Sequence, residues 1–138
     1  MSKPTTAQMT AANPTISAKV SANAGTGKTR VLSNRVLRLL LSGINPSKIL
    51  CLTYTKAAAA EMSARVTDEL KDWVLSNDAD LANKLKLLTG EESTEQDLKL
   101  ARRLYNVTLQ SMPPPRIQTI HSFCQEVLKR FPLEAGVA

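Results

Sequence analysis

The sequence predicts an α/β fold, a small parallel sheet with helices packed on it, because three times along the 138-residue chain a short apolar run leads into a helical pattern. The first run, Ile16 to Ser21, passes through "ANAGTGKT" into "RVLSNRVLRLL". The second, "ILCLTYT", enters "KAAAAEMSARVTDELKDWVL", and the third, "IQTI", enters "HSFCQEVLKRF". Alternation of this kind favours parallel pairing, since a helical crossover returns each strand in the same direction as the last.

Taken in order, residues 1–15 read as a soft polar leader, and "MSKPTTAQMT" lacks the apolar core of a signal peptide. Ile16 to Ser21 supplies the first strand. Beyond the loop, Leu32, Val36, Leu39 and Leu40 recur at helical spacing, and Gly43 marks the stop. "INPSK" turns the chain into "ILCLTYT", whose continuous apolar character suits a strand buried on both faces. In the next helix Ala58, Met62, Arg65 and Glu69 share one stripe, Val66 and Leu70 widen its apolar side, and the alanine run carries high helix propensity. From Ser76 to Gln110 the chain is polar and helix-forming, with a break near "LTGEESTEQD". There Ser93 and Gln96 form a capping box for a helix reaching Leu109. This region, about residues 75–112, reads as a helical hairpin inserted into a domain spanning 16–138. "SMPPPR" then ends helix formation, "IQTI" forms the third strand, and the last helix stops at Phe131-Pro132.

The loop from Ala22 to Thr29 fits G-x-x-x-x-G-K-[ST] at every fixed position except the first, where alanine stands for glycine. Glycines allow a tight bend that aims successive N–H groups at phosphate oxygens, and the following helix adds the positive end of its dipole. Lys28 then serves as a point charge for β and γ phosphates and the Thr29 hydroxyl as a ligand for Mg²⁺, with Ala24, Gly25, Thr26 and Gly27 as the cradle. The plainer alternative is a glycine-rich turn with a solvated lysine.

Composition bounds the rest. Hydrophobic content of 43% with 22% charged residues is ordinary for a folded domain and excludes global disorder. No run approaches the roughly 18 to 20 apolar residues of a membrane span, so the chain reads as cytoplasmic with no membrane partner. Cys51 and Cys124, outside any C-x-x-C pair, read as buried thiols of a reducing compartment. The net charge of +6 is segregated: residues 1–66 hold nine Lys or Arg against one acid, residues 67–100 four against nine, and residues 101–138 five against two. Basic outer segments suit a polyanion such as nucleic acid, although ordinary surface charge gives the same count.

Open parallel sheets bind ligands beyond the carboxyl ends of their strands. Thr53, Tyr54, Thr55 and Lys56 fall at that end of the second strand, and Thr119, His121 and Ser122 at that end of the third. Hydroxyls and helix-start N–H groups suit phosphate oxygens, and an aromatic ring there can stack an unpaired base. Each residue also has a plainer reading, Tyr54 as a core aromatic and His121 as a capping or packing residue.

The succession "SANAGTGKT", "LTYTKAAAAEM" and "IQTIHSFC" resembles the first motifs of superfamily 1 DNA helicases of the UvrD and Rep type, and within them the AddA helicase-nucleases, relatives of RecB. The likeness runs from Gln8 to about Phe131. It implies a three-layer RecA-like P-loop NTPase motor domain, present in part. It further implies that Gln8, in "AQMTAA", reads the adenine of ATP, that Gly25, Gly27, Lys28 and Thr29 hold ATP and Mg²⁺ with Arg30 beside them, and that Tyr54, Thr55, Lys56, Thr119, His121 and Ser122 line a track for single-stranded DNA. A bacterial cytoplasmic protein with an AddB-like second subunit is the corresponding expectation.

Departures narrow it. Many relatives read T-F-T-N-K-A where this chain has Thr53-Tyr54-Thr55-Lys56-Ala57-Ala58, so only a nearby charge is kept at Lys56 and a stacking face at Tyr54. No apolar strand ending in Asp-Glu follows, and Asp68-Glu69 lies within a helix pattern, so the chain is expected to be the N-terminal part of such a motor and inactive alone. A P-loop kinase is one rival and needs an arginine-rich lid, for which Arg102-Arg103 is the sole cluster. A non-enzymatic nucleic-acid-binding module is the other.

Overall fold

A computed structural model describes residues 4–21, 27–132, 134 and 136. Among these residues, two strands and six α-helices follow one another as α1 (Thr6–Ala11), α2 (Lys28–Leu41), β1 (Leu50–Thr53), α3 (Lys56–Leu75), α4 (Asp78–Thr89), α5 (Glu95–Gln110), β2 (Arg116–Thr119) and α6 (Ile120–Arg130), with a 3₁₀ turn at Pro46–Lys48. β1 and β2 pair in parallel, Leu50 opposite Arg116 through Thr53 opposite Thr119. The fold is therefore mixed α/β around a small parallel sheet.

The core is largely helical. Val36, Leu37 and Leu40 of α2 meet Met62, Val66, Leu70 and Trp73 of α3, and the hairpin adds Leu81, Leu85 and Leu88 from α4 with Ala101 and Leu104 from α5. The buried stripe of α3 starts at Ala59, while Ala58 faces solvent, and in α2 Val31 is buried while Leu32 is exposed. Arg102 locks the corner between α3 and α4, donating to the carbonyls of Trp73, Val74 and Ser76 and to the Asp78 carboxylate. The capping box of α5 lies one residue beyond the expected pair: Thr94 caps Asp97 N–H at 3.2 Å, and Asp97 accepts from Thr94 N–H at 2.7 Å. A carboxylate at the third helical position accepts that bond more strongly than the amide of Gln96.

Three other expectations are corrected. Residues 16–21 form no strand; Ile16 and Val20 are exposed, and the Ile16 carbonyl accepts from Arg35 Nη2 at 2.5 Å instead of from a ladder partner. With alanine, serine and lysine filling the rest of that run, pairing would bury little. β1 is covered on one face only. Cys51 and Ile117 pack on the core, whereas Leu50 and Leu52, which alternate to the other face, stay 38% and 43% exposed. α6 covers that outer face over β2, where Glu126 meets Arg116 at 3.4 Å and Gln118 at 3.1 Å. α6 has no fully buried residue, and its Cys124 is exposed, unlike half-buried Cys51, whose thiol is pushed up by burial.

The leader is also more ordered than its composition suggests. Thr5 and Gln8 form a capping box on α1, and Ala12 is buried. Two arginines of α2 hold it: Arg35 donates to the carbonyls of Ala11 at 3.2 Å and Asn13 at 2.6 Å, and Arg38 to that of Met9 at 3.1 Å.

Candidate nucleotide and nucleic-acid site

Gly27 opens α2 as its N-cap with φ of 85°, a left-handed conformation that favours glycine. Lacking a side chain, it caps no N–H of the first turn, so those donors stay suited to an anion. A Cβ at Gly27 would lie 3.5 Å from Nε2 of Gln8. The amide of Gln8 thus stands against the head of α2, brought there by the arginine contacts to the leader. Its Oε1 accepts from Thr5 N–H at 3.0 Å, which fixes the side chain and leaves the amide nitrogen on the Gly27 side.

Lys28 and Thr29 form the first turn of α2, Lys28 exposed and Thr29 half-buried, followed by half-buried Arg30. The donor set fits a magnesium–triphosphate group: a primary ammonium, a hydroxyl, a left-handed glycine and a helix N-terminus. Ala24, Gly25 and Thr26, with Ala22 and Asn23, lie outside the described residues.

The second cluster follows from strand register. With Thr53 opposite Thr119, β1 and β2 end side by side, and each runs directly into a helix capped by a threonine. Thr55 caps α3, accepting from Ala58 N–H at 3.1 Å, and Thr119 caps α6, accepting from Ser122 N–H at 3.2 Å, with its hydroxyl 2.9 Å from that of Ser122. Thr53 Oγ1 donates to the Thr55 carbonyl at 3.0 Å. Lys56 and His121 are exposed in the first turns of these helices. Tyr54 is 88% exposed, which removes the reading of it as a core aromatic. The three hydroxyls of Thr55, Thr119 and Ser122 are engaged in capping, so Tyr54, Lys56 and His121 are the most open side chains here.

Residue periodicity gave no warning of the Arg35 and Arg38 clamp; two arginines three apart on an otherwise apolar helix face were the available signal.

A glycine-headed helix beside a glutamine, and two threonine-capped helices at one end of a parallel sheet, define a helicase-type nucleotide-binding domain: the chain belongs to the UvrD/REP helicase N-terminal domain family, which it matches over residues 4–137. It is 35% identical over 112 residues to the AddA protein of Enterococcus faecalis, an ATP-dependent helicase/nuclease, and 36% identical over 112 residues to that of Latilactobacillus sakei. It is also 36% identical over 115 residues to the protein of the same name in Desulforudis audaxviator. Each match covers 81% of this chain, but the chain spans only 7%, 10% and 8% of those relatives' own lengths. No solved structure matches it.

Proposed function

We propose that this chain is the ATP-binding and DNA-contacting N-terminal portion of an ATP-dependent DNA helicase, akin to the AddA helicase-nuclease of double-strand-break repair. The observation that carries it is the approach of Gln8 to Gly27 at the head of α2, which sets an amide donor beside a helix start suited to phosphates. In this reading the fold is the beginning of a three-layer RecA-like P-loop motor, with α4 and α5 as its inserted hairpin. The protein works in a bacterial cytoplasm with an AddB-like second subunit. Among the described residues, no helix is long and apolar enough to cross a membrane.

Bound ATP with Mg²⁺ supplies the phosphoryl group whose transfer drives movement along DNA. The chain's residues divide the work of holding it. Gln8 donates to the adenine edge, the cradle of Ala24, Gly25, Thr26 and Gly27 offers backbone N–H groups, and Lys28 places positive charge against the phosphates. Thr29 ligates the metal, and Arg30 stands beside them. At the sheet end Tyr54 offers a stacking face to a base of single-stranded DNA, and Thr55, Lys56, Thr119, His121 and Ser122 offer helix starts and charge to its phosphates.

The kinase rival loses its lid, because Arg102 is committed to the corner between α3 and α4. Binding of a fluorescent ATP analogue with Mg²⁺ tests the reading. The chain should bind, and Lys28→Ala should weaken binding at least several-fold. Phosphate release by the 138-residue chain should stay at background with or without single-stranded DNA, since its sequence holds no strand ending in Asp-Glu and an arginine finger alone contributes about 10³ to 10⁵ in rate. Nucleotide binding indifferent to Lys28→Ala, or turnover that Lys28→Ala abolishes, would defeat the proposal as stated. DNA affinity without any nucleotide binding would favour the non-enzymatic module.

A further inference from the structure

A cavity of about 250 Å³ lies among α2, α3 and α4, on a different face of α2 from the one that holds the leader. Leu37, Trp73 and Leu88 give it an apolar wall. Ser33 also lines it, only 1% exposed, with an Oγ that has no hydrogen-bond partner. A buried hydroxyl left unsatisfied is costly, and an apolar pocket with a few convergent polar groups is the usual make of a small-molecule site.

The polar lining is asymmetric in charge. Arg30, Arg65 and Lys84 face one carboxylate, Glu69. Arg65 pairs with Glu61 at 3.2 Å, and Lys84 with Asp72 at 2.5 Å and Ser76 Oγ at 2.7 Å. Both ion pairs are substantially exposed, so swinging either cation toward a new anion sacrifices little. Glu69 is held above the usual carboxylate range, chiefly by burial and then by Asp72, against the pull of Lys84, Arg30 and Arg65. The acid in the cavity thus opposes an incoming anion less than a solvated carboxylate would.

We propose that this cavity is a binding site for a small organic monoanion with a planar apolar body, its ring against Leu37 and Trp73, its anionic group toward Arg65 and Lys84, and the Ser33 hydroxyl donating to it. The site is separate from the Lys28 loop and independent of the ATP reading.

Trp73 is the single tryptophan, so its indole N–H reports on the cavity in a ¹H–¹⁵N spectrum of the 138-residue chain. Benzoate, benzamide and benzylamine serve as isosteric probes of negative, neutral and positive charge. Benzoate should give a saturable shift at Trp73 with a Kd on the order of 1 mM, fitting for so small a ligand, and benzylamine none. Arg65→Gln, at an exposed position that keeps the fold, should weaken benzoate at least about five-fold, as should Ser33→Ala. Absence of a saturable shift, equal response to benzylamine, or full displacement by ATP with Mg²⁺ would each overturn the site. Benzoate binding that survives Lys28→Ala upholds it even where ATP binding fails.

Discussion

Tyr54→Ala separates recognition from stability unusually well. The side chain is 88% exposed, so folding removes only about a tenth of its surface from water. For an aromatic of roughly 200 Å², that is about 20 Å² and, at about 25 cal/mol per Å², ~0.5 kcal/mol of stability. A stacked base at a protein aromatic contributes about 1 to 3 kcal/mol. If Tyr54 is the platform proposed, its removal should weaken single-stranded DNA binding roughly 5- to 150-fold while the midpoint of denaturation barely moves. Fluorescence anisotropy with a labelled oligonucleotide at low salt reads the first quantity, and urea denaturation the second. Unchanged DNA affinity in a fully folded Tyr54→Ala chain refutes the stacking argument, and a large loss of stability refutes the exposure on which it rests.

Arg35→Ala should release the leader from α2, lowering stability by about 1.5 to 3 kcal/mol, as expected for hydrogen bonds from a charged donor, and speeding amide exchange across α1. Leu81 is 0% exposed, so Leu81→Ala should cost about 2 to 5 kcal/mol in denaturant unfolding and lower the midpoint of the whole chain, not of a separate hairpin. Glu69 has a pKa raised in the folded chain, so its contribution is most favourable below its unfolded pKa and is lost as pH rises through the folded one. Glu69→Gln should therefore raise stability at neutral pH, and the gain should vanish on titrating down into the acid range; a constant difference across pH would contradict the burial.

Much of this was written in local sequence. The order of α2, β1, α3, β2 and α6 followed from apolar runs and helical spacing, and the hairpin between Ser76 and Gln110 from polarity and capping residues. Ile16 to Ser21 misled because an apolar run states a preference, whereas a strand also needs a neighbour. Leu50 and Leu52 misled for a related reason: continuous apolarity promised cover on both faces, and α6 supplies it over β2 alone. At the site, the positions of Tyr54 and Thr119 were legible from strand ends. Their meeting depended on the register of Thr53 with Thr119, which no local pattern encodes. The cavity was invisible because Ser33, Arg65 and Lys84 belong to three different helices.

The pairing of β1 with β2 has an entropic consequence. Only four residues on each strand meet, yet residues 54–115 must first be closed into a loop. Were that segment a free coil, bringing its ends together would cost on the order of 4 kcal/mol, more than so short a ladder can be expected to offset. Packing of α3 against α5 closes most of that distance through contacts near in sequence and rich in apolar burial. The sheet end that carries Tyr54 and His121 is thus a late and dependent part of the molecule, assembled on a helical scaffold whose integrity decides whether those side chains are presented together at all.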